Sequence, residues 1–404
     1  MALTEVYLEP ERGDLAALGE VLWPGAELLT GSTGVRQRGA LSEREEHYVV
    51  LPSLAKPRYL LPASLGSTGV ARLLRSYNGL RPTRTRWARG VLATGARAGW
   101  LPGRRRQQLV VQWRSQDRGL RGLVSEELGR RPEDVALACG IRVNRGITRP
   151  IVTVMDLSGA PLAFVKVART AVHQRRLRAE HRLLTTLHRA PVTGVHTPAP
   201  LFLREWGDSL ALGTAPLPGD VEPVGPDDID RASQHLDDIA ALTPHRSSAF
   251  ADSAWREELL ARVDRLSEPA GSRLRAAVDR VAEQHGDVAL DHGIGHGDWS
   301  FWNLATTPTS GELCVWDWEF GHLGMPQGLD RLHWTFGVST TIRGVPAGSA
   351  ARRQLDRAAD GTPEDRARCA LHLLEEATRR LEDADLGNRR AAASGRDIVT
   401  QLLA

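Results

Sequence analysis

Residues 295–305, GHGDWSFWNLA, and 312–330, ELCVWDWEFGHLGMPQGLD, hold the densest set of side chains able to do chemistry. Asp298 follows a glycine in a short loop. Asn303 comes five residues later, and Asp317 fourteen after that, closing the apolar run Leu313–Trp316. Hard oxygen ligands on a turn and a strand end suit Mg²⁺, which takes few protein ligands and shares them with phosphates. A third oxygen side chain beside them, not bound to metal, suits a base. Turn caps and a strand end would account for any one of the three alone; the set at this spacing favours the chemical reading.

A second pair stands out against composition. Of 52 basic residues in the 404-residue chain, only Lys56 and Lys166 are lysines; the other 50 are arginines. Lys166 sits in the strand-like FVKVA. Glu180 lies fourteen residues on, in an apolar helical stripe formed with Leu177, Leu184 and Leu187. A carboxylate on a buried face is costly unless paired, and a lysine on a strand needs a partner too, so each explains the other. In so arginine-rich a chain, lysine here points to a compact ammonium that a guanidinium fork replaces poorly. The bland reading is an edge-strand lysine that snorkels to water and a glutamate capping an apolar contact. Lys56 acquires no comparable role.

The string H-G-D-x-x-x-x-N, followed by D-W-E and G-x-P-x-x-x-D, resembles the aminoglycoside phosphotransferase and choline kinase family, which shares the protein-kinase-like fold. The corresponding protein-kinase strings are H-R-D-x-x-x-x-N and D-F-G. The resemblance covers about residues 121–404 and implies transfer of the γ-phosphoryl of ATP, with GTP as the alternative nucleotide, and Mg²⁺ to a hydroxyl of a small molecule. It implies Asp298 as the catalytic base, Asn303 and Asp317 as metal ligands, and Lys166 on the phosphates with Glu180 as its ion-pair partner. His296 would brace the loop near Asp317, Asp330 would anchor the catalytic loop, and Glu319 would stand at the metal side. The phosphate loop is the weakest match: GIRVNRGITRP (140–150) lacks G-x-G-x-x-G, and Asn144, Arg145 and Gly146 are the candidates for its tip. Gly297 in place of the H-R-D arginine, and no A-P-E-like segment, favour a small-molecule acceptor over a protein. Most of the surrounding tryptophans read as core, with Trp299 a candidate for the acceptor side. The alternative is a nucleotide-binding pseudokinase acting as a scaffold.

The elements that must position these residues read as α+β in two lobes. Strands are expected at 48–51, 135–143, 149–157, 161–168 and within 199–217, with a hairpin turn at 156–160 and extended segments around the Lys56–Pro57 turn. Helices are expected at 171–190, 226–243, 252–267, 271–285 and 364–383. This gives a basic module at 1–120, a kinase-like N-lobe at 121–215 and a helical C-lobe at 216–404.

Charge divides the chain. Net charge is +3, yet residues 47–116 hold 13 basic side chains and no acid. The first 125 residues carry a net +9, leaving about −6 on the rest. Within the basic stretch, residues 73–108 suggest a helix with Trp87, Ala88, Val91 and Leu92 on one face. Residues 70–108, with Trp87 and Trp100, suit an anionic membrane surface or a phosphorylated or lipid-linked substrate. Nucleic acid is the weaker reading, since no motif accompanies the charge. The plain alternative is an appendage whose arginines pair with acids elsewhere in the chain. Three dispersed cysteines without a CxxC pair argue against a disulfide framework or a structural zinc site. The N-terminus lacks the basic start and apolar run of a signal peptide. A cytoplasmic protein is expected, with peripheral attachment to the inner membrane face as the variant.

Overall fold

Alternating apolar residues along the strands build a sheet buried on both sides. In Glu45–Ser53, Tyr48 and Val50 join one core, and Val49 and Leu51 join another. Leu137 and Cys139 likewise face opposite to Ala136 and Ala138. The computed structural model describes residues 13–31, 45–81, 83–100, 108–113, 119–141, 143–144, 147–148, 150–244 and 246–404. Its main sheet has nine strands. They run, in spatial order, Glu27–Gly31, Gln108–Gln112, Glu45–Ser53, Lys56–Pro62, Val135–Gly140, Ile151–Asp156, Pro161–Ala168, Ser209–Thr214 and Pro200–Trp206.

This sheet spans residue 120, where a division is expected. The basic segment contributes four of its strands, and Tyr59 and Leu60 pair with Gly140 and Cys139. Two compact units result. Among the described residues, the first takes in those up to Asn144, Thr148–His181 and Pro198–Val221; the second takes in Arg182–Thr197 and Glu222–Ala404. Charge marked a composition boundary, but backbone hydrogen bonds cross it. The α+β class, with a sheet-rich first half and a mainly helical second half, is as expected.

The arginine helix, Thr83–Arg97, lies on the first unit, and the face with Trp87 and Val91 is not the one turned inward. Arg89, Ala93 and Ala96 are buried, while Trp87 is 72% and Val91 46% exposed. The reason is Arg89. Its Nε donates to the Leu74 carbonyl at 3.0 Å and its Nη2 to that of Leu73 at 3.1 Å. These are end carbonyls of helix Ser67–Arg75, where the helix runs out of backbone donors; the Leu73 carbonyl also accepts from the Ser76 N–H at 3.2 Å. Satisfying them outweighs burying Trp87. The same short helix docks on the 156–160 turn, where Arg72 donates to Ser158 Oγ at 3.0 Å. Gly159 there has φ +79°, and a Cβ would lie 2.3 Å from the Gly69 carbonyl oxygen, so this turn requires glycine.

In the second unit, helices Ala254–Val263, Ala270–His285, Ala347–Ala359, Pro363–Asp385 and Arg389–Leu403 enclose an apolar core. The sequence Thr362-Pro363-Glu364-Asp365 starts the longest of them with a full capping box. Arg262 ties it down through Glu375 at 2.8 Å and Glu382 at 3.0 Å. The expected helix at 226–243 is instead two single turns, Ile229–Ser233 and Leu236–Ala240. Helices Leu329–Gly337, Ala347–Ala359 and Arg389–Leu403 were not foreseen. Among the described residues, no helix is long and apolar enough to cross a membrane.

Candidate active site

The first unit supplies a buried ion pair. Lys166 is carried by Pro161–Ala168, an interior strand flanked by Ile151–Asp156 and Ser209–Thr214. Its Nζ reaches both carboxylate oxygens of Glu180, at 2.8 and 2.7 Å. The stripe read from the sequence is real: Leu177, Glu180, Leu184 and Leu187 are all buried on helix Ala171–Arg189. The Glu180 side chain is 3% exposed and that of Lys166 22%. Of the expected phosphate-loop residues, Asn144 lies in a two-stranded ladder of Val143–Asn144 with Ile147–Thr148. Arg145 and Gly146 lie outside the described residues.

The second unit holds a group of its own. Strand Ala289–Gly295 delivers the chain to His296, and Asp330, at the start of helix Leu329–Gly337, fixes the loop that follows. Its two carboxylate oxygens accept from the backbone N–H groups of His296 and Gly297, each at 2.8 Å. Gly297 has φ +73°, and a Cβ would lie 2.1 Å from the Phe320 carbonyl oxygen. The residue before Asp298 must therefore be glycine here, which explains the departure from H-R-D. The His296 Nε2–H donates to the Trp316 carbonyl at 2.9 Å, while Nδ1 accepts from the Asp298 backbone N–H at 3.1 Å. Burial pushes this imidazole's pKa down, consistent with a neutral ring of fixed tautomer.

Asp317 follows strand Leu313–Val315 with φ +68° and ψ +53°, a left-handed conformation that non-glycine residues adopt rarely. Glu319 lies in the turn Trp318–Phe320 immediately after it. The Trp316 N–H donates to the Asn303 carbonyl at 3.3 Å, tying the two loops together. Asn303 Nδ2 donates to the Asp298 carbonyl at 3.1 Å and to Asp298 Oδ2 at 2.8 Å. With the amide nitrogen committed, the amide oxygen is the atom left for a cation. Asn303 and Asp317 thus offer the hard oxygen donors that Mg²⁺ requires.

Three residues at this site escaped the sequence reading. His333 Nε2 donates to Asp298 Oδ1 at 2.8 Å, and Arg379 Nη2 donates to the same oxygen at 3.3 Å. Glu376 Oε1 accepts from His333 Nδ1 at 2.6 Å. Arg379 also donates to the Gly297 carbonyl and lies 3.8 Å over the Phe320 ring. Faint signals exist: His333 falls one helical turn after Asp330, and LHLLEEATRRLE (371–382) puts charges into an apolar helix. Trp299 is a correction in the other direction, being fully buried against the His296 ring. The exposed aromatic in this loop is Trp302, at 40%.

These neighbours set the charge on Asp298. Burial alone would raise its pKa; Arg379, then His333, overcome that and bring it down to about 2. Burial alone would lower the pKa of His333, but Glu376 and Asp298 lift it to about 9. Asp298 is therefore a fixed anion beside an imidazolium at neutral pH.

No family model and no curated protein matches the sequence. Among solved structures, the chain is similar to a thermostable mutant of aminoglycoside phosphotransferase APH(4)-Ia in ternary complex with ADP and hygromycin B. The TM-score is 0.45 at 15% identity, covering 70% of this chain and 98% of that one. A type I macrolide 2'-phosphotransferase gives 0.37 at 17% identity, covering 65% and 90%. A Plasmodium vivax ethanolamine kinase gives 0.38 at 10%, covering 68% and 83%. At these scores the likeness carries no argument about substrate or mechanism.

Proposed function

We propose that the chain is a kinase-like phosphotransferase that moves the γ-phosphoryl group of ATP or GTP to a hydroxyl of a small molecule. The observation that carries this reading is the Asp298 constellation: an ionised carboxylate bonded to Asn303 on a loop that Asp330 and His296 hold beside Asp317. Lys166, kept in place by Glu180, would bind phosphate oxygens of the nucleotide. Asn303 and Asp317 would hold Mg²⁺, which when bound would neutralise charge on the phosphates. A carboxylate with a pKa near 2 is too weak a base to remove a hydroxyl proton early in the reaction. Asp298 would instead accept a hydrogen bond from the acceptor hydroxyl, aim its oxygen, and take the proton late, as its O–P bond forms. A loose phosphoryl-transfer transition state asks mainly for positioning and charge neutralisation. Complete Lys166, Glu180, Asp298, Asn303 and Asp317 positions favour an enzyme over a scaffold.

Thermal unfolding with Mg²⁺–ATP is the first test. The wild type should rise in Tm and Lys166→Ala should rise much less; no rise in the wild type removes the nucleotide-binding reading.

A second reading concerns where the protein works, and a specific observation favours it. Arg84, Trp87 and Val91 form an exposed stripe on helix Thr83–Arg97, with Trp100 60% exposed just beyond its end. Arg84, Arg86 and Arg97 make no ion pair among the described residues. Exposed indole with unpaired arginine suits an anionic lipid surface. Deleting residues 70–108 cannot test this, because Val70, Leu73, Leu74, Ala93 and Ala96 are core. Trp87→Ala should reduce sedimentation with phosphatidylserine vesicles and leave folding intact. Equal sedimentation of both proteins ends the reading.

A further inference from the structure

We infer that His333 and Glu376 form a buried relay whose task is to position Asp298, the two acting as positioning residues for the transfer proposed above, on which this inference rests. The geometry, with the arginines on both carboxylates, points to one protonation state. Both ring nitrogens of His333 face carboxylate oxygens, Nε2 to Asp298 at 2.8 Å and Nδ1 to Glu376 at 2.6 Å. A neutral imidazole has one N–H, so with both carboxylates ionised beside Arg379 and Arg380 only the imidazolium satisfies both contacts. The raised pKa of this ring agrees with that independent count.

The relay is closed at its far end. Glu376 also receives Arg380 Nη2 at 2.8 Å, with Arg379 Nη1 at 3.6 Å. Side-chain exposures of 15% for Asp298, 9% for His333 and 3% for Glu376 place the chain of contacts out of water, where charged hydrogen bonds are strong and a broken one is costly. Asp298 Oδ1 is thus held from helices Leu329–Gly337 and Pro363–Asp385, and Oδ2 by Asn303 of its own loop. A carboxylate held at both oxygens cannot rotate away from the hydroxyl it must aim.

The same corner offers another chemistry. One ligand atom each from His333, His372 and Glu376 lie within 4.8 Å of one another, the spacing of a metal site. His372 is buried, and neither ring nitrogen finds a hydrogen-bond partner. Yet Glu376 is already balanced by two arginines, and the His333 face that would bind a cation carries a proton. The charge arrangement favours the relay.

The test combines turnover with a signature that a merely structural role would not produce. Mg²⁺–ATP hydrolysis, with water standing in for the acceptor, should fall about 100-fold in kcat in Glu376→Gln and His333→Gln, with KM for ATP unchanged. In ¹⁵N-histidine spectra at pH 8, wild-type His333 should show two protected N–H protons, and Glu376→Gln should return the ring to neutral. Glu376→Gln keeps the shape of the site, so it serves if His333→Gln fails to fold. Full hydrolysis by a folded Glu376→Gln overturns the relay alone. A neutral His333 in the wild type, or a stoichiometric metal whose removal by EDTA unfolds this corner, overturns it too. A wild type that binds no Mg²⁺–ATP removes the kinase reading, and the relay's catalytic use with it.

Discussion

The two charged clusters differ in construction. Lys166 and Glu180 meet fourteen residues apart, on a strand and the helix that follows it. Asp298 is the centre of a web that reaches His333 and Arg379, 35 and 81 residues away. The pair joins two neighbouring elements and leaves the lysine partly exposed; the web holds its carboxylate from both sides. The difference matches the demands of the proposed chemistry. A phosphate-binding ammonium can tolerate some latitude, whereas a carboxylate that aims a nucleophile has little.

The sharpest way to break the comparison is Asp298→Asn. Transfer should fall by about 1,000-fold or more while Mg²⁺–ATP still raises Tm, because Lys166, Asn303 and Asp317 are unchanged. Full activity in this variant would remove Asp298 from the centre of the web. Next in size is the pair. Lys166→Ala strands a buried carboxylate and should cost about 3 kcal/mol in denaturant unfolding, whereas Lys166→Met with Glu180→Leu should come close to wild-type stability yet bind no nucleotide. If the double variant still binds, the pair is structural only.

Effects of similar size come from pH, the alkaline limb from His333 and the acid limb from the neighbouring His372. His333 has a folded pKa of about 9, above the ordinary value near 6.5. Its contribution is therefore full below pH 6.5 and lost as pH rises through 9. His372 is the reverse: burial takes its pKa down to about 3, so the unfolded chain gains a proton first and stability falls as pH drops from 6.5 towards 3. His333→Gln should flatten the alkaline limb and His372→Gln the acid limb in urea titrations across pH. Each limb should amount to a few kcal/mol, at about 1.4 kcal/mol per pKa unit. An unchanged alkaline limb in His333→Gln would show that this ring is not the imidazolium. The least effect on stability, within about 0.5 kcal/mol, is expected for Trp87→Ala, an exposed residue outside both clusters.

Much of the framework was legible because it is local. Apolar runs marked strands at 135–143 and 149–157, alternation marked the one at 161–168, and the apolar stripe around Glu180 marked its helix; the structure gives 135–140, 151–156 and 161–168. The loop residues Asp298, Asn303 and Asp317 stood out by type and spacing. Arg89 was illegible in role, since nothing in a run of arginines says which one turns inward to cap Leu73 and Leu74. Trp299 was misassigned for a related reason: an aromatic beside a site can line it or support it, and the sequence is the same for both.

By itself the sequence determined which side chains had the chemistry, and that a lysine and a glutamate near each other needed pairing. Gly297 was also visible as a departure, although its reason, a Cβ meeting Phe320, was not. Only the tertiary structure decided that the basic segment joins the same sheet, through Tyr59 and Leu60. Only the tertiary structure brought His333, Glu376 and Arg379 to Asp298. Periodicity reports what one element buries within a few residues. Which distant helices converge on one carboxylate depends on how whole elements pack, and that information is spread over the entire core.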